Sequence, residues 1–244
     1  MRKTIRVLIL FLATASVQLS AQQNFASISF GASIPLDNYL ASGDLSSNGY
    51  ANNGGAIKFD AGYFPGSYFG IGGSFSFGSN YASRDSLLKD MVTYIESSTP
   101  GGIDIPDDAE ILYESGFWNY INLFIGPHFS IRTSQRFYLD FRALGGLSII
   151  RPPDQELSIT YDDNNIYART SHNNAAFGWT VGAGARYKFN ARLALKLGVD
   201  LVRAKAKNSY SFDLFQGVLG EVPPIDAEFY IQALEITAGL AYSF

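Results

Sequence analysis

Apolar residues recur at every second position along this chain, and they do so over runs too long for an ordinary soluble strand. The pattern is cleanest at 177–189, where Phe177, Trp179, Val181, Ala183, Ala185, Tyr187 and Phe189 oppose Gly178, Thr180, Gly182, Gly184, Arg186 and Lys188. Successive side chains of a strand project to opposite faces, so period two reads as β-structure. Seven further runs obey the rule, at 25–34, 55–63, 68–78, 117–131, 137–149, 193–201 and 230–244. They run to about 9–14 residues, against about 5–6 for a typical strand.

A soluble sandwich also alternates, hiding its apolar face and wetting the other. Three features separate this chain from one. Its strand lengths suit a tilted membrane crossing of about 9–11 residues. Its polar face is rich in Gly and Ser and sparing in Lys and Glu, which suits a cramped interior. Its connections also alternate, short at 64–67, 132–136 and 190–191, long at 35–53, 79–115, 151–175 and 204–228. Short turns on one rim with long loops on the other mark a membrane barrel, and in lipid only ring closure satisfies every strand edge. The expected fold is all-β, an antiparallel up-and-down transmembrane β-barrel of eight strands. Ten is the alternative, because Leu157, Ile159 and Tyr161, the turn 162–165 and Ile166 signal a hairpin. Its arms are short and polar, so it reads better as an extension of the wall above the membrane.

The first residues read as an address. Arg2, Lys3 and Arg6 precede an uncharged apolar run at 7–17, and the chain turns polar at Gln22 after Ala21. This is the form of a cleaved signal peptide, and the run is far short of the roughly 20 residues of a membrane helix. The expected division is a signal peptide at 1–21 and one barrel domain at 22–244.

A formal charge of −4 excludes the basic surface that nucleic acid needs. The absence of cysteine excludes disulfides, thiolate metal sites, a Cys nucleophile and a thiol-linked lipid anchor. Charges fall on the interior face in mixed sign: Lys58 and Asp60, Asp140 and Arg142, Arg186 and Lys188, Lys196 and Asp200, and Glu235. Desolvated charges need partners, so these are expected to form an ion-pair network across the lumen. Eight strands enclose a space that side chains just fill, which argues against a wide pore and leaves a narrow polar path as the lesser reading. Trp179, Tyr187, Tyr63, Tyr242 and Phe244 fit aromatic girdles at the rims.

In the longest loop, Leu87, Leu88, Met91, Val92 and Ile95 recur at helical spacing, with Asp85 or Ser86 to cap. The helix at 83–96 is expected to pack over the barrel mouth, or else to offer a partner surface. Nucleophilic catalysis needs a histidine beside Ser or Asp. The chain has His128, read as facing the lumen, and His172, next to Ser171 and downstream of Asp162 and Asp163. Sequence adjacency alone is a weak warrant, and the expectation is no enzyme and no catalytic, cofactor-binding or metal residues. Asp107 and Asp108, like 162–165, lack the spacing of a calcium loop.

The C-terminal residues Thr237, Gly239, Tyr242 and Phe244 resemble the terminal insertion signal of bacterial outer-membrane barrels. That resemblance implies recognition by the barrel-assembly machinery. In its architecture and its SAQQ signal ending, the chain also resembles the small eight-stranded outer-membrane barrels of Bacteroidota, OmpA/OmpX-like without a periplasmic domain. The resemblance implies a Gram-negative outer-membrane location, with membrane lipid as a partner and an envelope protein or host ligand at the loops. It also implies a non-enzymatic role in adhesion, envelope integrity or protein contacts. The alternatives are a barrel component of a type IX-associated secretion or transport complex, or a narrow channel.

Overall fold

The structure is a computed structural model and describes residues 24–98, 104–106, 108–161, 164–170, 174–215 and 224–244. The signal peptide expected at 1–21 lies outside the described residues. Eight strands form a closed antiparallel ring: β1 (Phe25–Pro35), β2 (Ala51–Tyr63), β3 (Phe69–Ala82), β5 (Phe117–Arg132), β6 (Phe137–Arg151), β9 (Asn174–Lys188), β10 (Leu193–Phe215) and β11 (Ile225–Ser243). The ring closes where β1 pairs with β11, from Phe25 opposite Ser243 to Pro35 opposite Ala233.

The hairpin at 156–170 stays out of this ring. Strands β7 (Gln155–Tyr161) and β8 (Asn164–Thr170) join β4 (Glu110–Ser115) in a side sheet. That sheet hangs from the far end of β10, with Tyr210 opposite Thr170 and Phe215 opposite Asn165. The membrane wall therefore has eight strands.

The wall is inside-out relative to a soluble domain. Outward residues such as Phe30 (54% exposed) and Leu197 (50%) are bare, while the charged face is buried. Burying apolar surface in lipid and polar surface in a filled lumen follows from one alternation, since the two faces meet different media. The girdle aromatics Tyr63, Tyr187, Tyr242 and Phe244 are exposed and Trp179 is half-buried. Tyr187 lies edge-on to Phe189 with ring centroids 5.9 Å apart.

One expected loop is mostly strand. Residues 204–228 were expected to connect two strands, yet β10 and β11 continue as a ladder to Tyr210 opposite Ile225. The reason lies in the surroundings. Beyond Leu201 the outward positions become Arg203, Lys205 and Lys207, while Ala204, Ala206, Asn208 and Tyr210 turn inward. The strand continues from lipid into water, so its outer face stops being apolar while its period stays two.

The other long connections also carry structure. A short helix α1 (Asp37–Leu40) and the longer α2 (Arg84–Ser98) lie between strands. Helix α2 begins one residue after Ser83, whose hydroxyl donates to Ser86 Oγ at 3.1 Å. The Ser83 carbonyl accepts from Leu87 N–H at 3.0 Å, so the first helical turn closes ahead of Asp85 and Ser86, the expected caps. Leu87, Met91 and Ile95 are fully buried, and Leu88 and Val92 pack against the same cluster.

Candidate functional site

The barrel interior is filled in three tiers. At the rim of short turns, Phe25 and Phe64 form an aromatic floor with His128, their rings meeting the imidazole edge-on at 5.6 and 5.2 Å. Parity puts Phe25 inside, since it shares its face with Ser27 and Ser29. Arg186 lies over the Phe25 ring at 3.9 Å and grips Asp140 through two contacts of 2.6 and 2.8 Å, with a third to Ser130 Oγ at 3.0 Å. A planar guanidinium can stack and chelate a carboxylate at once, which an ammonium cannot. His128 Nε2 lies 3.7 Å from Asp140, too far for a hydrogen bond. Lys188 is buried beside the Tyr138 ring at 4.8 Å.

The middle tier gathers charges from four strands. Lys58 Nζ donates to Asp200 at 2.8 Å and lies 2.6 Å from Glu235. Arg142 clasps Asp200 through Nε at 2.7 Å and Nη2 at 2.5 Å, and its Nη1 lies 3.3 Å from Asp60. Lys196 completes the chain by pairing with Asp60 and donating to Ser27 Oγ at 3.0 Å. Lys58 (2% exposed) and Asp200 (0%) show how completely water is excluded. Three cations thus face three carboxylates, the balance that a dry interior requires. Gly182 makes room, for a Cβ there would collide with Asp200 Oδ1 at 1.8 Å.

A hydrogen-bond chain joins this tier to the next. Tyr120 donates to Glu235 at 3.0 Å and meets Ser33 Oγ at 2.9 Å. Asn80 accepts from Ser33 at 2.9 Å and from Tyr39 at 3.3 Å. The alternation carried a signal for Tyr120, which shares the inward face with Asn122 and Phe124. Asn80 and Tyr39 were hidden because their segments looked like loop.

The third tier is an apolar cap over the rim of long loops. Trp118, Tyr39, Tyr50, Leu87, Met91, Ile95, Tyr113, Leu157, Ile159, Ile166 and Phe229 belong to one buried cluster. Trp118 anchors it, donating to the Gly49 carbonyl at 2.7 Å while its ring stands edge-on to Tyr39 and Phe229. Tyr50 donates to Asp90 at 2.6 Å, tying the first long loop to α2. Burial first, and then the Asp90 carboxylate, hold the Tyr50 phenol well above its usual pKa. Burial pushes Tyr113 up to about 12.

All nine expected interior charges therefore line the lumen, in two groups, with Lys58, Asp60, Arg142, Lys196, Asp200 and Glu235 in one and Asp140, Arg186 and Lys188 in the other. Of the C-terminal signal residues, Thr237 is buried between Gly31 and Gly198, Gly239 packs against the β1 backbone, and Tyr242 and Phe244 face outward. Ser171, His172, Asp107, Asp162 and Asp163 lie outside the described residues.

Several solved outer-membrane proteins are similar to this chain. Ail of Yersinia pestis, solved in complex with the heparin analogue sucrose octasulfate, is 13% identical over 91% of this chain and 99% of its own, with a TM-score of 0.42. OprG of Pseudomonas aeruginosa is 12% identical over 91% and 97%, with a TM-score of 0.44. The outer membrane protease OmpT of Escherichia coli is 12% identical over 94% and 100%, with a TM-score of 0.41. No curated relative matches the chain. The family model for the outer membrane protein beta-barrel domain matches residues 7–244. The chain belongs to that family, and its place is the outer membrane.

Proposed function

We propose that this barrel is a non-enzymatic surface protein, with both termini in the periplasm, that acts through its cap in adhesion, envelope integrity or contacts with other envelope proteins. The observation that supports this reading is the filled lumen. Aromatic floor, closed ion pairs and apolar cap follow one another along the axis, so the interior charges act as the core of the barrel and its outward end is a packed surface. Of the two histidines that a catalytic reading would draw on, His172 lies outside the described residues. His128 is buried among Phe25 and Phe64.

The test is gentle detergent extraction from native membranes with lysine cross-linking. Cross-links from Lys89, exposed on α2, to envelope or surface partners are the expected result. Lys89 cross-linked to nothing outside its own chain would overturn the reading. Recovery at fixed stoichiometry with export proteins would replace it with a secretion component. In a planar bilayer the purified protein is expected to stay electrically silent, and discrete conductance steps would sink the filled-lumen argument.

A further inference from the structure

The outer face of β10 changes character at one point. Leu193, Leu195, Leu197, Val199 and Leu201 point outward in the apolar belt, and Arg203, Lys205 and Lys207 occupy the next three outward positions. Outward neighbours on one strand stand about 7 Å apart, so the three cations climb from the lipid boundary into water. The aromatic residues beside them fit that boundary. Trp179 is directly opposite Arg203 on β9, and the Arg203 guanidinium stacks on Tyr230 of β11 at 4.1 Å. Trp and Tyr gather where hydrocarbon meets headgroups.

The patch is also built and unevenly placed. Glu228 is gripped by both lysines, at 2.6 Å from Lys205 and 2.5 Å from Lys207, which holds the two ammonium groups side by side. The four groups together keep an excess of two positive charges. Arg203 makes no ion pair among the described residues, and its Nε has no hydrogen-bond partner there. On the opposite sector the same rim carries Tyr81, Phe117 and Asn119 instead. On β6, Arg151 is spent on Asp154 at 2.8 Å.

We propose that Arg203, Lys205 and Lys207 form a binding site for the phosphate groups of an outer-leaflet lipid headgroup, with the acyl chains lying along Leu197, Val199 and Leu201. The inference goes beyond the cap reading and rests on one part of it, that the long-loop rim faces out of the cell. A phosphate takes hydrogen bonds from a guanidinium fork and from ammonium groups alike. Cations at a bilayer surface gain about 1 kcal/mol each against anionic headgroups.

The test uses the folded full-length barrel in zwitterionic detergent, titrated with a bis-phosphorylated lipid A and, separately, with the same lipid stripped of phosphate. Bound lipid is counted by native mass spectrometry. Clear preference for the phosphorylated lipid is expected, with binding about thirtyfold weaker in the Arg203→Ala, Lys205→Ala double variant. Retention of the folded gel mobility separates lost binding from lost fold. Glu228→Gln removes the competing negative charge and is expected to tighten binding several-fold, whereas a purely structural clamp would loosen it. Equal binding of both lipids, or unchanged binding by the double variant, overturns the proposal. Displacement of the lipid by inorganic phosphate alone would make this a free-phosphate site and overturn the lipid assignment. None of these outcomes moves the cap cross-linking result, so the two readings fail separately.

Discussion

Asp200 is the residue on which the middle tier turns, because it is fully buried and accepts from Lys58 and from two nitrogens of Arg142. Removing one carboxylate from such a cluster leaves buried cations short of a partner, which costs about 3–5 kcal/mol. Asp200→Asn should destabilise the barrel by about that amount, measured as a lowered urea midpoint for unfolding from lipid vesicles. An unchanged midpoint would mean that water enters the lumen and solvates the orphaned charges. Glu228 marks the contrast at the surface. Hydrogen bonds from Lys205, then from Lys207, hold its carboxyl down to about 2, and the group is exposed at the surface. A depressed folded pKa contributes stability that is present above the ordinary carboxylate value and is lost as pH falls through the folded one. Carboxyl NMR should therefore find Glu228 still ionised below its ordinary pKa of 4.5 and titrating near 2. Titration at the ordinary value would show that the lysine clamp does not persist in solution.

At the scale of elements, α2 and the side sheet of β4, β7 and β8 owe their order to one another. Met91 is fully buried among cap residues, at the centre of the helix face that the spacing of Leu87, Met91 and Ile95 marked out. Met91→Ala should cost about 2–5 kcal/mol by leaving a cavity. The loss should fall on the cap as a local unit rather than on the membrane wall. Limited proteolysis should then clip the variant within 83–116 sooner than the parent while the wall stays intact. Simultaneous loss of wall and cap would show that they unfold together. The helix was legible because its apolar spacing needs nothing beyond its own turns. Strand β4 was not, since Glu110, Leu112 and Glu114 face outward and only Tyr113 is deeply buried. Its partner β7 lies far along the chain, with Glu110 opposite Thr160 and Ser115 opposite Gln155, and no local pattern carries such a pairing.

For the whole molecule, ring closure through β1 and β11 leaves the membrane wall without a free edge. Such a ring resists detergent, so an unboiled sample should migrate apart from a boiled one on a denaturing gel. Identical mobility would count against a closed barrel in detergent. The same closure explains why the lumen is so full. The pairs Lys58–Glu235 and Lys196–Ser27 reach across the interior near the seam, linking β2 to β11 and β10 to β1. The ends of the chain are thus joined by side chains as well as by the ladder.

The alternation of residues determined by itself that the chain forms long strands, which face meets lipid and which charges turn inward. Those properties follow from a period of two and from the medium on each side, and both are local. The joining of the hairpin to β4 and to the far end of β10, the pairing of Lys58 with Asp200 and Glu235, and the cap around Trp118 were decided by tertiary structure. Each depends on residues far apart in the chain arriving at one height in the barrel. Register and closure set that height, and neither is written in the spacing of any single strand.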